Sequence, residues 1–365
     1  MEHAPMPDEP TEPTQPPSPA QGQRPVRAGV IGMGFMGRTH AAGYTTAAEA
    51  GLPCTLAAVA DRNQANLTGT APASGNLDTD NAPEQIFDPA RVQTFTDAAD
   101  MLAANVVDAV SICTHTDTHV RMGTMALEAG AHVLMEKPVA LVPGDIRTLR
   151  DAALANNRLC IPAMCMRHWP GWTWLKQRIT DGSLGSVLSA NFYRLGGTPN
   201  WGEGFYTDIA RSGGALFDLH VHDTDFVFHC FGTPANVTTT GSLAHPTTTY
   251  HYEDGFEAVA EGSWEQAESD PFVMRFEVRF ADATADFDLS REDAPLLLRR
   301  GTDAEPVALA PTNGWQAEIA AFIDTVARFN PEAADLSTPL DEAIAVTELL
   351  LAERASLESG QPVQP

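Results

Sequence analysis

Val26-Arg27-Ala28-Gly29-Val30-Ile31-Gly32-Met33-Gly34-Phe35-Met36-Gly37 decides how the rest of the chain folds. Its first six residues form an apolar, partly β-branched run too short for a helix, so they predict a buried strand. GxGxxG follows directly, and Arg38-Thr39-His40-Ala41-Ala42 then opens a helix to about Ala50. In that order the glycines have distinct physical roles. Gly32 permits the tight turn, Gly34 lets backbone approach a pyrophosphate, and Gly37 lets the helix pack close on the strand. Phe35 and Met36 lie where the helix N-terminus offers free N–H groups to an anion. Together these positions predict a dinucleotide site.

Downstream, Cys54 to Ala60 reads as a second strand ending at Asp61, 24 residues after Gly37. About 20 is the spacing expected of a carboxylate that bonds the adenine-side ribose hydroxyls. Such a carboxylate repels a 2′-phosphate and favours NAD, while the adjacent Arg62 could pair with that phosphate and admits NADP. Asp61 as a plain helix cap is the competing reading. Residues 62–93 hold a polar stretch bearing proline and glycine, centred on 70–90, that reads as a surface insertion. Val106 to Cys113 is the next strand. At its end Thr114 and His119 stand where a cofactor ribose or nicotinamide would pass, although hydroxyl residues there also cap helices.

A helix from Val120 to Ala129 then delivers the chain to Val133-Leu134-Met135-Glu136-Lys137-Pro138. Val133 to Met135 form a strand, and Pro138 stops it. Glu136 and Lys137 are thereby held at a strand's carboxyl end, where open α/β sheets bind ligands. The chain has 22 lysines plus arginines, and only Lys137 and Lys176 are lysine. An ammonium, unlike a guanidinium, shifts its pKa when desolvated, so a lysine kept here suits proton-transfer chemistry. Strand and helix alternate from Val26 to Met135, the pattern of a doubly wound parallel sheet.

Upstream, residues 1–25 are rich in proline and acid and read as a disordered tail. The net charge of −26 argues against a nucleic-acid partner, which needs a basic face. No apolar run reaches membrane-spanning length. Five cysteines without a CxxC pair suit reduced thiols in a cytoplasmic protein.

Past Pro138, Gly144 to Asn156 reads as a helix and Leu159 to Met164 as a strand, after which Arg167 could grip a substrate or make an ion pair. From Val187 onward alternating strands predominate, at Val187–Leu195, Asn236–Leu243, Thr248–Glu261, Phe272–Phe280, Ala283–Leu289 and Pro295–Arg299. One helix, about Ala215 to Phe231, interrupts them, and two more close the chain. This predicts a second domain of α+β type with a large open, mainly antiparallel sheet. On the interrupting helix Asp218 and His222 are four apart and share a face, the arrangement of an orienting carboxylate and a base. Asp225 lies three further on. Asp218, His222, Asp225 and His229 also have metal-ligand spacing, but nothing else in the chain supports a metal, and none is expected.

GVIGMGFMGRTHAAGY, DAVSICTHTDTHVRMGTMALEAGAHVLMEKP, SGGALFDLHVHDTDFVFHCFG and the closing SLESGQPV together resemble the Gfo/Idh/MocA family of glucose–fructose oxidoreductase and inositol dehydrogenase relatives. The resemblance spans residues from about 26 to 363. It implies an N-terminal Rossmann domain over 26–142 and an α/β domain over 143–365 that binds substrate and forms a homodimer or homotetramer. It implies NAD(P)-dependent oxidation or reduction of a sugar, inositol or related polyol. The family's catalytic lysine falls on Lys137, and its aspartate and histidine on Asp218 and His222. Glu136 and Lys137 fall among its cofactor-binding positions, and Arg167 and Asp225 are candidates for substrate. His115 and His220 depart from the common pattern, where proline and glycine are frequent. Within the same resemblance stand an NAD-dependent glycoside hydrolase and a non-catalytic dinucleotide-binding protein; the latter would not need Lys137, Asp218 and His222 together.

Overall fold

The structure, a computed structural model, describes residues 24–70, 85–200, 202, 204–267 and 269–365. The expected N-terminal tail, apart from its last two residues, and residues 71–84 of the expected insertion lie outside them. The first layer comprises β1 (Val26–Ile31), α1 (Phe35–Glu49), β2 (Cys54–Ala60), β3 (Gln93–Phe95), α2 (Ala98–Ala103), β4 (Ala109–Ile112), α3 (His119–Glu128), β5 (His132–Glu136), α4 (Pro143–Asn156) and β6 (Cys160–Ala163). Every strand pairing in it is parallel, in the order β3-β2-β1-β4-β5-β6. This is the strand order of a doubly wound dinucleotide fold, with its switch point between β1 and β4. Local chemistry sets the boundaries. Asp97 caps α2 through Ala99 N–H at 2.7 Å, Pro143 starts α4, and Asn157, at φ 50°, ends it.

β6 bonds to β5, so the first sheet extends to Ala163 rather than stopping at the expected boundary of 142. The physical reason is the crossover. α4 and β6 complete one more β-α-β unit, and their apolar residues Ile146, Leu149 and Cys160 pack in the same core as β4 and β5.

The second layer follows α5 (Pro170–Asp181). It contains β7 (Val187–Leu195), α6 (Ile209–Ser212), α7 (Gly214–Asp218), α8 (Val221–Phe231), β8 (Asn236–Gly241), β9 (Pro246–His251), β10 (Glu257–Ser263), β11 (Val273–Phe280), β12 (Thr284–Asp288), β13 (Leu296–Arg300) and β14 (Asp303–Pro306). The strands form one eight-stranded sheet, ordered β14-β13-β12-β11-β7-β10-β9-β8. All its pairs are antiparallel except β7 with β10. The run expected as one strand over 248–261 is a hairpin, because Asp254-Gly255 makes the turn with Gly255 at φ 82°. β14 was invisible to alternation because all four of its residues are exposed.

One face of this sheet carries an aromatic core in which Trp172 meets Phe276 and Phe287 at 5.0 and 4.6 Å between ring centroids. The other face presents charged side chains, Arg275, Glu277 and Arg299 among them, paired with one another and with Asp286. The closing helices α9 (Gly314–Ala327) and α10 (Thr338–Ser359) return to the first layer. Gly43 of α1 faces Ile319 so closely that an added Cβ would lie 2.3 Å from Ile319 Cδ1, and Arg150 of α4 pairs with Asp341 of α10 at 2.6 Å. The carboxyl end of β5 is brought against the segment 212–225, where Lys137 meets Asp218.

Candidate active site

The glycine turn has the shape of an anion cradle. Gly32 adopts φ 91°, and a Cβ on it would meet Cys113 O at 2.7 Å. A Cβ on Gly37 would lie 1.8 Å from Gly32 O, so only glycine lets α1 start this close to β1. Around Gly34, by contrast, a Cβ would find nothing within 4 Å among the described residues. Gly34 stands at the N-cap of α1, a 15-residue helix, and gives it no side-chain cap hydrogen bond. These features fit a dinucleotide pyrophosphate at the helix N-terminus. The Phe35 side chain packs edge-on against Trp315 of α9, at 6.2 Å.

Asp61, at the end of β2, accepts from Met33 N–H at 2.6 Å and from Asn63 N–H at 2.8 Å, so its carboxylate stands against the glycine turn. Arg62 is exposed. Sequence reasoning passed over Arg38, whose guanidinium reaches Asn66 at 3.1 Å and whose pKa burial lowers against the opposing charge of Asp61. Thr114 lies beside Gly32 and is bonded by Thr118 at 2.8 Å. His119 is buried, its ring nitrogens 2.9 Å from the carbonyls of Pro138 and Thr114. Burial lowers its pKa against the pull of the Thr114 carbonyl. Its ring lies between two loop ends inside the protein, and the neutral form donates to one of the two carbonyls. Glu136 is likewise buried, with one oxygen 2.9 Å from His40 Nε2 and the other accepting from Lys137 N–H at 3.1 Å.

Lys137 crosses to the second layer. Its Nζ donates to Asp218 O at 2.6 Å and to Asp218 Oδ1 at 3.3 Å. The helix expected over Ala215–Phe231 is broken there, and the break explains the contact. Leu219 and His220 N–H both bond Ala215 O, at 2.9 and 2.8 Å, a one-residue π-type bulge, and His222 N–H turns to Leu219 O at 3.3 Å. On an unbroken helix His222 N–H would occupy Asp218 O. The bulge frees that carbonyl, and the ammonium takes it.

The bulge also overturns the expected pairing. Asp218 orients Lys137, not His222, because the extra residue carries the two side chains off a shared helical face. His222 is half-buried and its Nδ1 has no hydrogen-bond partner among the described residues. Burial, joined by the charges of Lys137 and Arg194, pushes its pKa well below the usual histidine value. A neutral imidazole beside an ammonium can accept a proton while the ammonium donates a hydrogen bond.

Arg167 and Asp225 are brought together as an ion pair, with bonds of 2.7 and 2.9 Å, and Arg167 also reaches Glu342. Asp225 is 1 % exposed, so this pair fastens the helix in place of offering a free group to substrate. Two partners went unnoticed in the sequence. Arg194 of β7 makes a two-pronged bond to Asp223 at 2.9 and 3.0 Å, and His220 Nε2 lies 3.3 Å from Glu353 Oε2. The alternation of β7 marked Arg194 as inward-facing, which was a usable signal. The metal spacing of Asp218, His222, Asp225 and His229 does not assemble. Among the described residues, the group whose ligand atoms lie within 4.8 Å of one another is His40, Cys113 and Glu136.

Comparison with known proteins agrees with this architecture. The profile described as "Oxidoreductase family, NAD-binding Rossmann fold" matches residues 26–164, and the "GFO/IDH/MocA C-terminal domain" matches 172–286. The D-glucoside 3-dehydrogenase of Escherichia coli is 30% identical over 214 residues, 58% of this chain and 55% of that protein. The inositol 2-dehydrogenase of Rhizobium meliloti is 30% identical over 219 residues, 60% of this chain and 59% of that one. The chain spans about half the length of the curated relatives it matches. Among solved structures, UDP-N-acetylglucosamine 3-dehydrogenase from Acidithiobacillus ferrooxidans aligns with TM-score 0.70 at 25% identity, over 92% of this chain and 98% of that one. Levoglucosan dehydrogenase in complex with NADH and levoglucosan aligns with TM-score 0.75 at 19% identity, over 93% and 99%, a likeness of fold. Among the described residues no helix is long and apolar enough to cross a membrane.

Proposed function

Because the chain belongs to the Gfo/Idh/MocA family of oxidoreductases with an NAD-binding Rossmann fold, we propose that it is an NAD(P)-dependent dehydrogenase of a sugar, inositol or related polyol. The observation that carries this reading is the meeting of Lys137 and Asp218 across the two layers, beside a histidine held neutral. A bound nicotinamide dinucleotide would supply the hydride acceptor, held by the turn Gly32 to Gly37, Asp61 and Thr114. His222 takes the proton of the substrate hydroxyl as its carbon is oxidised. Lys137 has three donors, two of them spent on Asp218, and presents the third to the oxygen on which negative charge develops. Asp218 fixes the direction in which that donor points. With Asp61 beside the turn, NAD is the preferred cofactor. Assembly as a homodimer or homotetramer through the open face of the eight-stranded sheet belongs to the same reading, and light scattering reads it directly.

The test is a screen of NAD and NADP reduction with myo-inositol, scyllo-inositol, glucose and glucosides, followed by His222→Ala on the best substrate. Loss of a general base lowers turnover by roughly 10²–10⁴-fold, while dinucleotide affinity stays near that of the unaltered protein. Unchanged turnover in the variant, or no reduction with any alcohol, overturns the proposal.

A further inference from the structure

His40 sits on α1 three residues after Gly37, wholly buried, in a stretch to which the dinucleotide turn assigns no duty. Its two ring nitrogens are both engaged. Nδ1 lies 2.9 Å from Ser111 Oγ of β4, which in turn lies 2.7 Å from Tyr44 OH, one helical turn along α1. Nε2 lies 2.9 Å from Glu136 Oε1 at the end of β5. A carboxylate only accepts, so Nε2 carries the proton whether the ring is neutral or charged.

Burial pushes the Glu136 carboxyl up, yet the bond and charge of His40, with Lys137, outweigh it and hold the group below the ordinary carboxylate value. An ionised carboxylate is thus kept 5 % exposed, and its second oxygen receives the backbone N–H of Lys137. From α9, Glu318 faces the same region. Its oxygens are buried without partners among the described residues, and burial, joined by the charges of Glu136 and Asp225, raises its pKa well above the usual carboxyl value, so it stays neutral. Burial does the same to the Cys113 thiol, at the end of β4. His40 and Lys137 are therefore the cations or donors available to Glu136 among these neighbours.

We propose that His40 is a positioning residue that registers Lys137 against the dinucleotide turn, through Glu136. The backbone of Lys137 is fixed by Glu136 and its ammonium by Asp218, so the side chain is held at both ends. The helix whose N-terminus faces the pyrophosphate thereby also sets where the ammonium stands. Remove His40 and Glu136 loses the donor that keeps it ionised and aimed, and the base of Lys137 is released while the turn itself is untouched. This rests on the reading of Lys137 as the residue that meets the substrate oxygen, and the experiment separates the two.

Lys137 and Lys176 are the only lysines in the chain, so selective isotope labelling of lysine gives two side-chain signals that can be titrated one by one. The full-length proteins to compare are the unaltered chain, His40→Ala, His40→Gln, Glu136→Gln and the double variant. The Lys137 signal and its titration should move in His40→Ala and Glu136→Gln, while those of Lys176 stay. Turnover on the substrate found in the screen should fall by up to about 10²-fold, the effect of a misplacement near 1 Å, with the NADH dissociation constant within about threefold. The double variant should be no worse than either single change, as expected of residues acting in series. His40→Gln, whose amide can still donate to Glu136, should recover most of the loss. An unmoved Lys137 signal, additive losses in the double variant, or equal losses of turnover and NADH affinity would each overturn the proposal. If His40→Ala does not fold, His40→Met, which fills the space and cannot donate to Glu136, takes its place in the same readings. If no alcohol is oxidised, the dehydrogenase reading fails, and the lysine signals still decide whether His40 positions Lys137.

Discussion

Gly34→Ala and Gly37→Ala lie within one turn of sequence yet should fail in different ways. Gly34 has φ −70° and ψ −160°, which alanine adopts, and its added methyl meets nothing within 4 Å among the described residues. Replacing glycine at a compatible site gains about 0.4–1 kcal/mol through the unfolded chain. Alanine as a helix cap loses an amount of similar size, so stability should change by less than about 1 kcal/mol. The methyl nevertheless stands on the open surface to which the first N–H groups of α1 point. A hydrogen bond to a charged group contributes about 1.5–3 kcal/mol. Displacing the pyrophosphate from one or two such bonds should cost ~3 kcal/mol, or more than about 10²-fold in dissociation constant. At Gly37 the methyl would sit 1.8 Å from Gly32 O, so the turn must open, with an overpacking loss of about 1–3 kcal/mol in stability besides the lost binding. Urea denaturation and calorimetric titration with NADH, run on both variants, separate the two effects. NADH affinity in Gly34→Ala within threefold of the unaltered protein, or a stability loss equal to that of Gly37→Ala, would refute the reasoning.

Acidification should destabilise the fold through His132, whose Nδ1 accepts from Leu159 N–H at 3.0 Å and whose pKa burial, helped by Arg158, lowers to about 4. The unfolded chain takes up this proton first, so stability is complete above about pH 6.5 and falls by about 3 kcal/mol toward pH 4; His132→Asn, which can still accept that bond, should lose less between pH 7 and pH 4.5 in denaturant titrations. Asp223→Ala leaves Arg194, 3 % exposed, without its carboxylate and should cost about 3–5 kcal/mol in urea; a loss under 1 kcal/mol would mean the pair is replaced by water. Asp61→Asn removes the charge that opposes a 2′-phosphate, and the preference for NAD over NADP should fall by at least about tenfold in paired affinity measurements.

The first layer was legible because its signals are local. Strand, glycine turn and helix follow one another within 24 residues, and each glycine's role depends on neighbours close in sequence. The extension through α4 and β6 was visible as elements but not as membership, because pairing with β5 is decided by crossover geometry and not by the apolar pattern. In the site, Lys137 was legible from its place after a buried strand and before Pro138. Its partner was not. Helical periodicity places Asp218 and His222 on one face, and nothing in the spacing marks a bulge at Leu219. A bulge is stabilised by what its freed carbonyl can bond, here an ammonium 81 residues earlier in the chain. Periodicity carries no such term. The same limit hid His40, whose partner Glu136 is 96 residues away.

What those distant partners build is a neutralised frame around His222, whose Nδ1 has no hydrogen-bond partner among the described residues. The bulged segment offers three aspartates, and each takes a cation from a different part of the fold: Asp218 from the end of β5, Asp223 from β7, Asp225 from the turn after β6. Three ion pairs on one short segment add little net stability beside well-packed apolar groups, since desolvation offsets most of the attraction. They do fix the segment's rotation and the position of its bulge. With every aspartate matched to a cation, His222 stands near two of those cations, Lys137 and Arg194, and no spare carboxylate of the segment remains to stabilise its protonated form. Its low pKa follows from the whole frame and not from burial alone. A histidine oriented by Asp218, as the sequence suggested, would have been a stronger base. The arrangement found instead spends the aspartate on the lysine, which under the proposed dehydrogenase reading would place the electrostatic weight on holding a developing oxyanion.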